Sequence, residues 1–176
     1  MTVPVTLADA RRQLRLEADD TTQDVEIGQF IADAVGWVET YTGHLMVARD
    51  VTRMFDGFGA IAFREWPVAS GAVATVTYAD ATGYAVPVTA VRVAIDRRPV
   101  RVIPWAGASW PAVEADAVTV TVRAGYEDGA VVPAPFRRAI LMLVAAYDAD
   151  REGGEMFAKA EATARQLLGA FRPRAL

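Results

Sequence analysis

The chain has 176 residues, a formal net charge of −4 and 53% hydrophobic residues, enough for one domain, or one domain with a sizeable insertion, to bury a core without cross-links. It holds no cysteine, which excludes disulfides, thiolate catalysis and cysteine-based metal sites. The acidic balance argues against non-specific binding to DNA or anionic membranes, and the opening residues lack the charged and apolar regions of a signal peptide, so folding in the cytosol is expected.

The first predicted element is a short helix. Thr6 and Asp9 have the spacing of a capping box, and Leu7, Ala10 and Leu14 share a face. A polar connection, Glu17 to Thr22, leads to a second capping signal at Thr21 and Asp24. Beyond it Ile27, Phe30, Ile31, Ala34, Val35, Val38 and Tyr41 form a wide apolar stripe, and Gly43 is placed to stop the helix. Gly28 and Gly36 interrupt this helix, and close helix–helix contact is the expected reason. From Val47 the period changes to two. Strands are expected near Val47–Phe55, Val73–Tyr78, Val91–Ile95 and Ala117–Arg123, separated by turn signals such as Asp56-Gly57, Asp80–Gly83 and Asp128-Gly129.

The pattern turns helical again at Pro133. Prolines 133 and 135 suit a first helical turn, and Ala139 to Ala146 has no polar side chain. A helix apolar nearly all round is buried on most sides, and this run is well short of the roughly 18 residues of a membrane span. It is therefore expected to be the centre of the core. The last helix, Glu155–Ala170, places Ala160, Ala164, Leu167 and Leu168 on one face, ahead of a basic, partly apolar tail from Phe171 to Leu176. The expected fold is α+β: a bundle of about four helices, from residues 1–46 and 130–176, with an antiparallel β subdomain inserted at 47–129.

Chemistry is sparse. His44 is the only histidine and Ser70 and Ser109 the only serines, and neither serine lies in a nucleophile elbow. A capping or surface role is expected for His44. Asp148, Asp150 and Glu152 read either as a solvated helix end or as the carboxylates of a metal-dependent hydrolase. Asp19, Asp20 and Asp24 lack the glycine and closing glutamate of a calcium loop. The turn Arg97–Arg101 is a solvated hairpin tip or a nucleic-acid contact. Trp66, Trp105 and Trp110 read equally as packing residues or as contacts with another subunit.

The order of these elements resembles the head–tail connector, or adaptor, proteins of tailed bacteriophages and gene transfer agents. That family opens with a helix of the form L-x-x-A-(K/R)-x-x-L-R, here Leu7, Ala10, Arg11, Leu14 and Arg15. An acidic turn comes next, then a long helix ending near E-x-x-T-G, here Glu39, Thr42 and Gly43. The stretch WPVASGAVATVTYADATG, the pair Trp110-Pro111, the VTVTVRAGY strand before a proline-led helix, and Leu167-Leu168 with Phe171-Arg172 are also similar to the family pattern. Two departures are the strands around Ala60–Arg64 and the short linker Gly153-Gly154.

The resemblance implies a structural virion protein, not an enzyme, with no cofactor and no metal. It implies self-association into a ring, usually of twelve copies, in the neck of a particle assembled in the bacterial cytoplasm. Its partners would be the portal protein and the next neck protein, a stopper or tail terminator. DNA would pass through the ring without specific binding, and no membrane is involved. By the same resemblance the portal interface would be Leu168, Phe171, Arg172, Arg174 and Leu176. Their composition adds an argument: an exposed aromatic and two arginines are poor material for the chain's own core and suit an anchor that orders on a partner.

Overall fold

The computed structural model describes residues 3–17, 20–112 and 117–173. The chain divides into two compact units. One combines the described residues up to Val47 with Tyr126–Arg172; the other is Ala48–Gly125.

The first unit is helical: α1 (Leu7–Leu14), α2 (Asp24–Thr42), α3 (Ala134–Ala149) and α4 (Glu155–Leu168). Helix α3 packs against all three others. It starts at Pro133, whose missing N–H costs nothing there. Phe136, Ala139, Ile140, Leu143 and Val144 are fully buried, and they meet Ile27, Ala34 and Val38 of α2, Ala10 of α1, and Ala164 and Leu168 of α4 in one cluster. Leu141 and Met142 are only half-buried. The capping box at α1 forms in full, with Thr6 Oγ1 accepting from the Asp9 N–H and the Asp9 carboxylate accepting from the Thr6 N–H.

Several expectations are corrected here. Thr21 does not cap α2: the N-cap is Gln23, without a side-chain hydrogen bond, and Asp24 receives a two-pronged ion pair from Arg11 instead. A Cβ added at Gly28 or Gly36 would meet nothing within 4 Å, so no close helix contact explains either glycine. On α4, Leu168 is buried but Leu167 is exposed.

The second unit holds two antiparallel sheets. One runs in the order β1 (Arg49–Phe55), β7 (Val118–Ala124), β3 (Ala74–Ala79), β4 (Ala85–Pro87). The other runs β2 (Ala62–Phe63), β6 (Val100–Pro104), β5 (Val91–Ala94). Strand β7 is central and alternates as a half-buried strand should, with Val118, Val120, Val122 and Ala124 inward. Strand β1 pairs with it from Arg49↔Ala124 to Phe55↔Val118, yet every residue of β1 is exposed or half-buried. As an edge strand it carries Arg49, Asp50 and Arg53, charges that discourage pairing with further strands.

Candidate functional site

The tail is the first candidate. Helix α4 gives way at Gly169 to a 3₁₀ turn, Gly169–Phe171. This turn seats the Phe171 ring on Phe136 at 4.6 Å between centroids, with the His44 ring edge-on at 5.8 Å. Phe171 is half-buried, and Leu168 is fully buried among the bundle residues. The premise that the tail has no place in its own core is thus corrected for Phe171, which one further turn brings onto Phe136; Leu168, offered as a portal contact, lies inside the core, as its place on the apolar face of α4 requires. Arg172 is exposed, its guanidinium 4.9 Å above the Tyr41 ring. Arg174 and Leu176 lie outside the described residues.

Of the capping or surface role expected for His44, the surface alternative is corrected. It is 5% exposed, its Nδ1 lies 3.0 Å from the Tyr126 hydroxyl, and its ring contacts Phe136 as well as Phe171. The aromatic neighbours are contributed by segments far apart in sequence, which is why local pattern did not reveal the burial.

An arginine–aromatic ladder beside the tail escaped the sequence reading. Trp37 and Tyr41 stack at 5.2 Å. Arg165 lies 5.6 Å from the Trp37 centroid and 5.4 Å from that of Tyr41. Trp37 Nε1 donates to Glu161 at 3.0 Å, and Arg165 donates to the same carboxylate at 2.7 Å. These two bonds, Arg165 first, hold the Glu161 carboxyl below its usual range. The i, i+4 spacings of Trp37–Tyr41 and Glu161–Arg165 are the sequence signal that would have found the ladder.

The carboxylates offered as a hydrolase centre do not converge. Among the described residues no group of three metal-ligating side chains could hold an ion. Asp150 ends α3, and its carboxylate lies where a Cβ on Gly154 would stand 2.8 Å away, so it occupies the α3–α4 turn. Arg151 reaches Glu26 at 2.8 Å. A groove of about 390 Å³ between α1, α3 and α4 is lined by Gln13, Met142, Ala145, Met156 and Lys159 among others; it brings together no acid–base pair.

In the β unit, the arginine turn is largely engaged internally. Arg97 Nε lies 3.6 Å from Asp96. Arg98 donates to the Arg64 carbonyl at 3.2 Å and covers the Trp66 ring at 5.6 Å. Trp110 stacks on Phe58 at 5.3 Å, so Trp66 and Trp110 have packing partners, whereas Trp105 is 57% exposed. Arg53 forms an ion pair with Glu65. Burial pushes the Glu65 carboxyl up, but this pair and backbone N–H donors outweigh it and hold the group below its ordinary value. Arg92 and Arg101 share one face of the β5–β6 hairpin, beside a cavity of about 380 Å³.

By sequence, the chain matches no protein-family model and no curated protein. Solved structures do match it in fold. A chain of the neck of an empty gene transfer agent particle, computed with C6 symmetry, superposes with a TM-score of 0.80 at 22% identity, covering 98% of this chain and 91% of that one. The fold is therefore one found in gene transfer agent necks. A chain of the virion of a native gene transfer agent particle gives 0.78 at 22% identity, with 100% and 94% covered. A third, from a native particle neck computed with C12 symmetry, gives 0.74 at 20% identity, again with 100% and 94% covered. The arrangement of this chain is α+β, with four α-helices and two antiparallel sheets among the described residues. No helix among the described residues is long and apolar enough to cross a membrane.

Proposed function

We propose that the chain is a structural head–tail connector subunit that assembles into a ring in the neck of a gene transfer agent or tailed phage particle, joining the DNA-filled head to the next neck component. The observation that carries this reading is the full-length likeness in fold to neck chains, at TM-scores of 0.74 to 0.80 with over nine-tenths of each chain covered. Two neck structures were computed with sixfold and twelvefold rotational symmetry, which fits a ring built by head-to-tail contacts. The sequence motifs support it independently. The carboxylates of the competing hydrolase reading do not converge, and no specific observation favours that alternative.

In this reading the ring lies beneath the portal, and the tail is the portal-facing element. Leu168 serves there only from within the core. Phe171 sets the exit direction of the tail, and Arg172 is the first side chain placed to meet a carboxylate of the portal, with Arg174 and Leu176 beyond it. DNA passes through the ring with few phosphate contacts, consistent with the net charge of −4.

The test is deletion of the gene in a producing strain. DNA-filled heads without tails are expected, restored to tailed particles by the wild-type gene in trans. Tailed, DNA-transferring particles at parental yield in the deletion strain would refute the proposal.

A further inference from the structure

The two units differ in charge. The helical unit, residues 1–47 and 126–172, carries 15 acidic residues against 9 basic ones, whereas residues 48–125 carry 7 against 8. Among the described residues, each unit also has a place where like charges gather.

On the β unit that place is the β5–β6 hairpin. Arg92 faces Ile103 and Arg101 faces Ala94 across the ladder, so the two arginines are diagonal neighbours on one face, roughly 7–8 Å apart at the backbone. They border the same cavity, floored by Val93, Ala94 and Ile103. The Arg101 Nε is buried and has no hydrogen-bond partner. The one carboxylate lining the cavity, Asp96, faces the Arg97 guanidinium. Two neighbouring guanidiniums on one face form a receptor for carboxylates.

On the helical unit the place is the α3–α4 turn. Asp148 and Asp150 stand at the C-terminal end of α3, and Glu152 just beyond it, where the helix dipole is negative and disfavours anions. Helix α3 has no basic residue in its last turn. Glu155 adds a fourth acid at the start of α4, and the nearby cation Arg151 is taken by Glu26. Glu152 and Glu155 are exposed. A metal ion is not the remedy, because these side chains form no chelating group, and DNA would be repelled.

We propose that the Arg92–Arg101 face of one copy receives the Glu152 and Glu155 carboxylates of the next copy, and that this contact is a lateral joint of the ring. The proposal rests on the ring reading above. A rotational ring needs two different, complementary faces on each copy, and the chain supplies one basic and one acidic. Arg92, exposed on that face, and Arg101 beside it supply the attraction, and the remaining acids add orientation.

Sedimentation of the full chain, from micromolar to millimolar at low and moderate salt, tests the joint. The parent should associate weakly, and less so as salt rises. Arg92→Glu/Arg101→Glu and Glu152→Arg/Glu155→Arg should each weaken association at least about tenfold through like-charge contact. An equimolar mixture should recover it, because copies of the two kinds can alternate with every joint matched. Thermal melts check that each variant is folded; if Arg101→Glu is not, Arg92→Glu/Arg101→Gln replaces it and should also recover with the arginine-bearing partner.

Association unchanged by both reversals, or a mixture that fails to recover, overturns this joint and leaves the ring itself standing. A parent that stays monomeric at all concentrations also overturns it. Closed two-fold dimers would instead contradict the ring reading. If a DNA duplex binds the parent and is lost with the Arg92/Arg101 variant while self-association is unaffected, the face serves nucleic acid and the proposal fails.

Discussion

At the scale of single residues, two extremes of packing bracket the tail phenylalanine. Gly36 lies mid-helix, exposed, with open space where a Cβ would go. Gly36→Ala should therefore stabilise the protein by about 0.5–1 kcal/mol, read as a shift in the urea midpoint at constant slope. A loss of stability would mean that the helix face there is crowded. Leu143, fully buried in α3, gives the opposite case: Leu143→Asp buries an unpaired charge and should cost several kcal/mol, on the order of the whole stability. Phe171 sits between these extremes. Its half-buried ring on Phe136 should make Phe171→Ala cost roughly 1–3 kcal/mol, and removing residues 170–176 should lower the melting temperature by a similar amount of free energy. An unchanged melting temperature would return the tail to a purely external role.

At the scale of elements, the carboxylates of caps and turns set the response to acid. The Thr6 backbone N–H and hydroxyl hold the Asp9 carboxyl below its ordinary 3.8. Thr82, with the N–H groups of Tyr84 and Thr82, does the same for Asp80 in the β3–β4 turn. A carboxyl depressed in the folded state contributes stability that is complete above its unfolded value and is lost as pH falls through the folded one. Stability should thus decline below pH 3.8, and Thr6→Ala, which also costs about 1 kcal/mol at neutral pH, should flatten part of that decline. Chemical denaturation from neutral pH down to about pH 2 checks both. Elements with a strong local signal were legible in the sequence: α1 by its capping box, α3 by its prolines and apolar run, β7 by its alternation. What was not legible depended on distant partners. Asp24 reads as a cap until Arg11, 13 residues earlier, takes it. His44 reads as a capping or surface residue until Tyr126, 82 residues later, meets it. The Arg92–Arg101 face needs the β5–β6 register, which no single strand reveals.

At the scale of the whole molecule, a chain with no converging catalytic groups among its described residues, an unevenly charged pair of units and the fold of neck proteins makes sense as a part defined by its neighbours. Its tail is tied to its own core up to Phe171, so in the proposed ring the portal contact falls to Arg172 and the sequence beyond it. The central claim is that copies of this chain form a ring under the portal. Electron microscopy of portal-bearing, DNA-filled heads incubated with purified protein tests it directly. The expected result is added density of rotational symmetry beneath the portal, fitted by this fold with the tail toward the portal and the β5–β6 hairpin of each copy against the α3–α4 turn of the next. Heads that remain bare, or density that only two-fold dimers can fill, would contradict it.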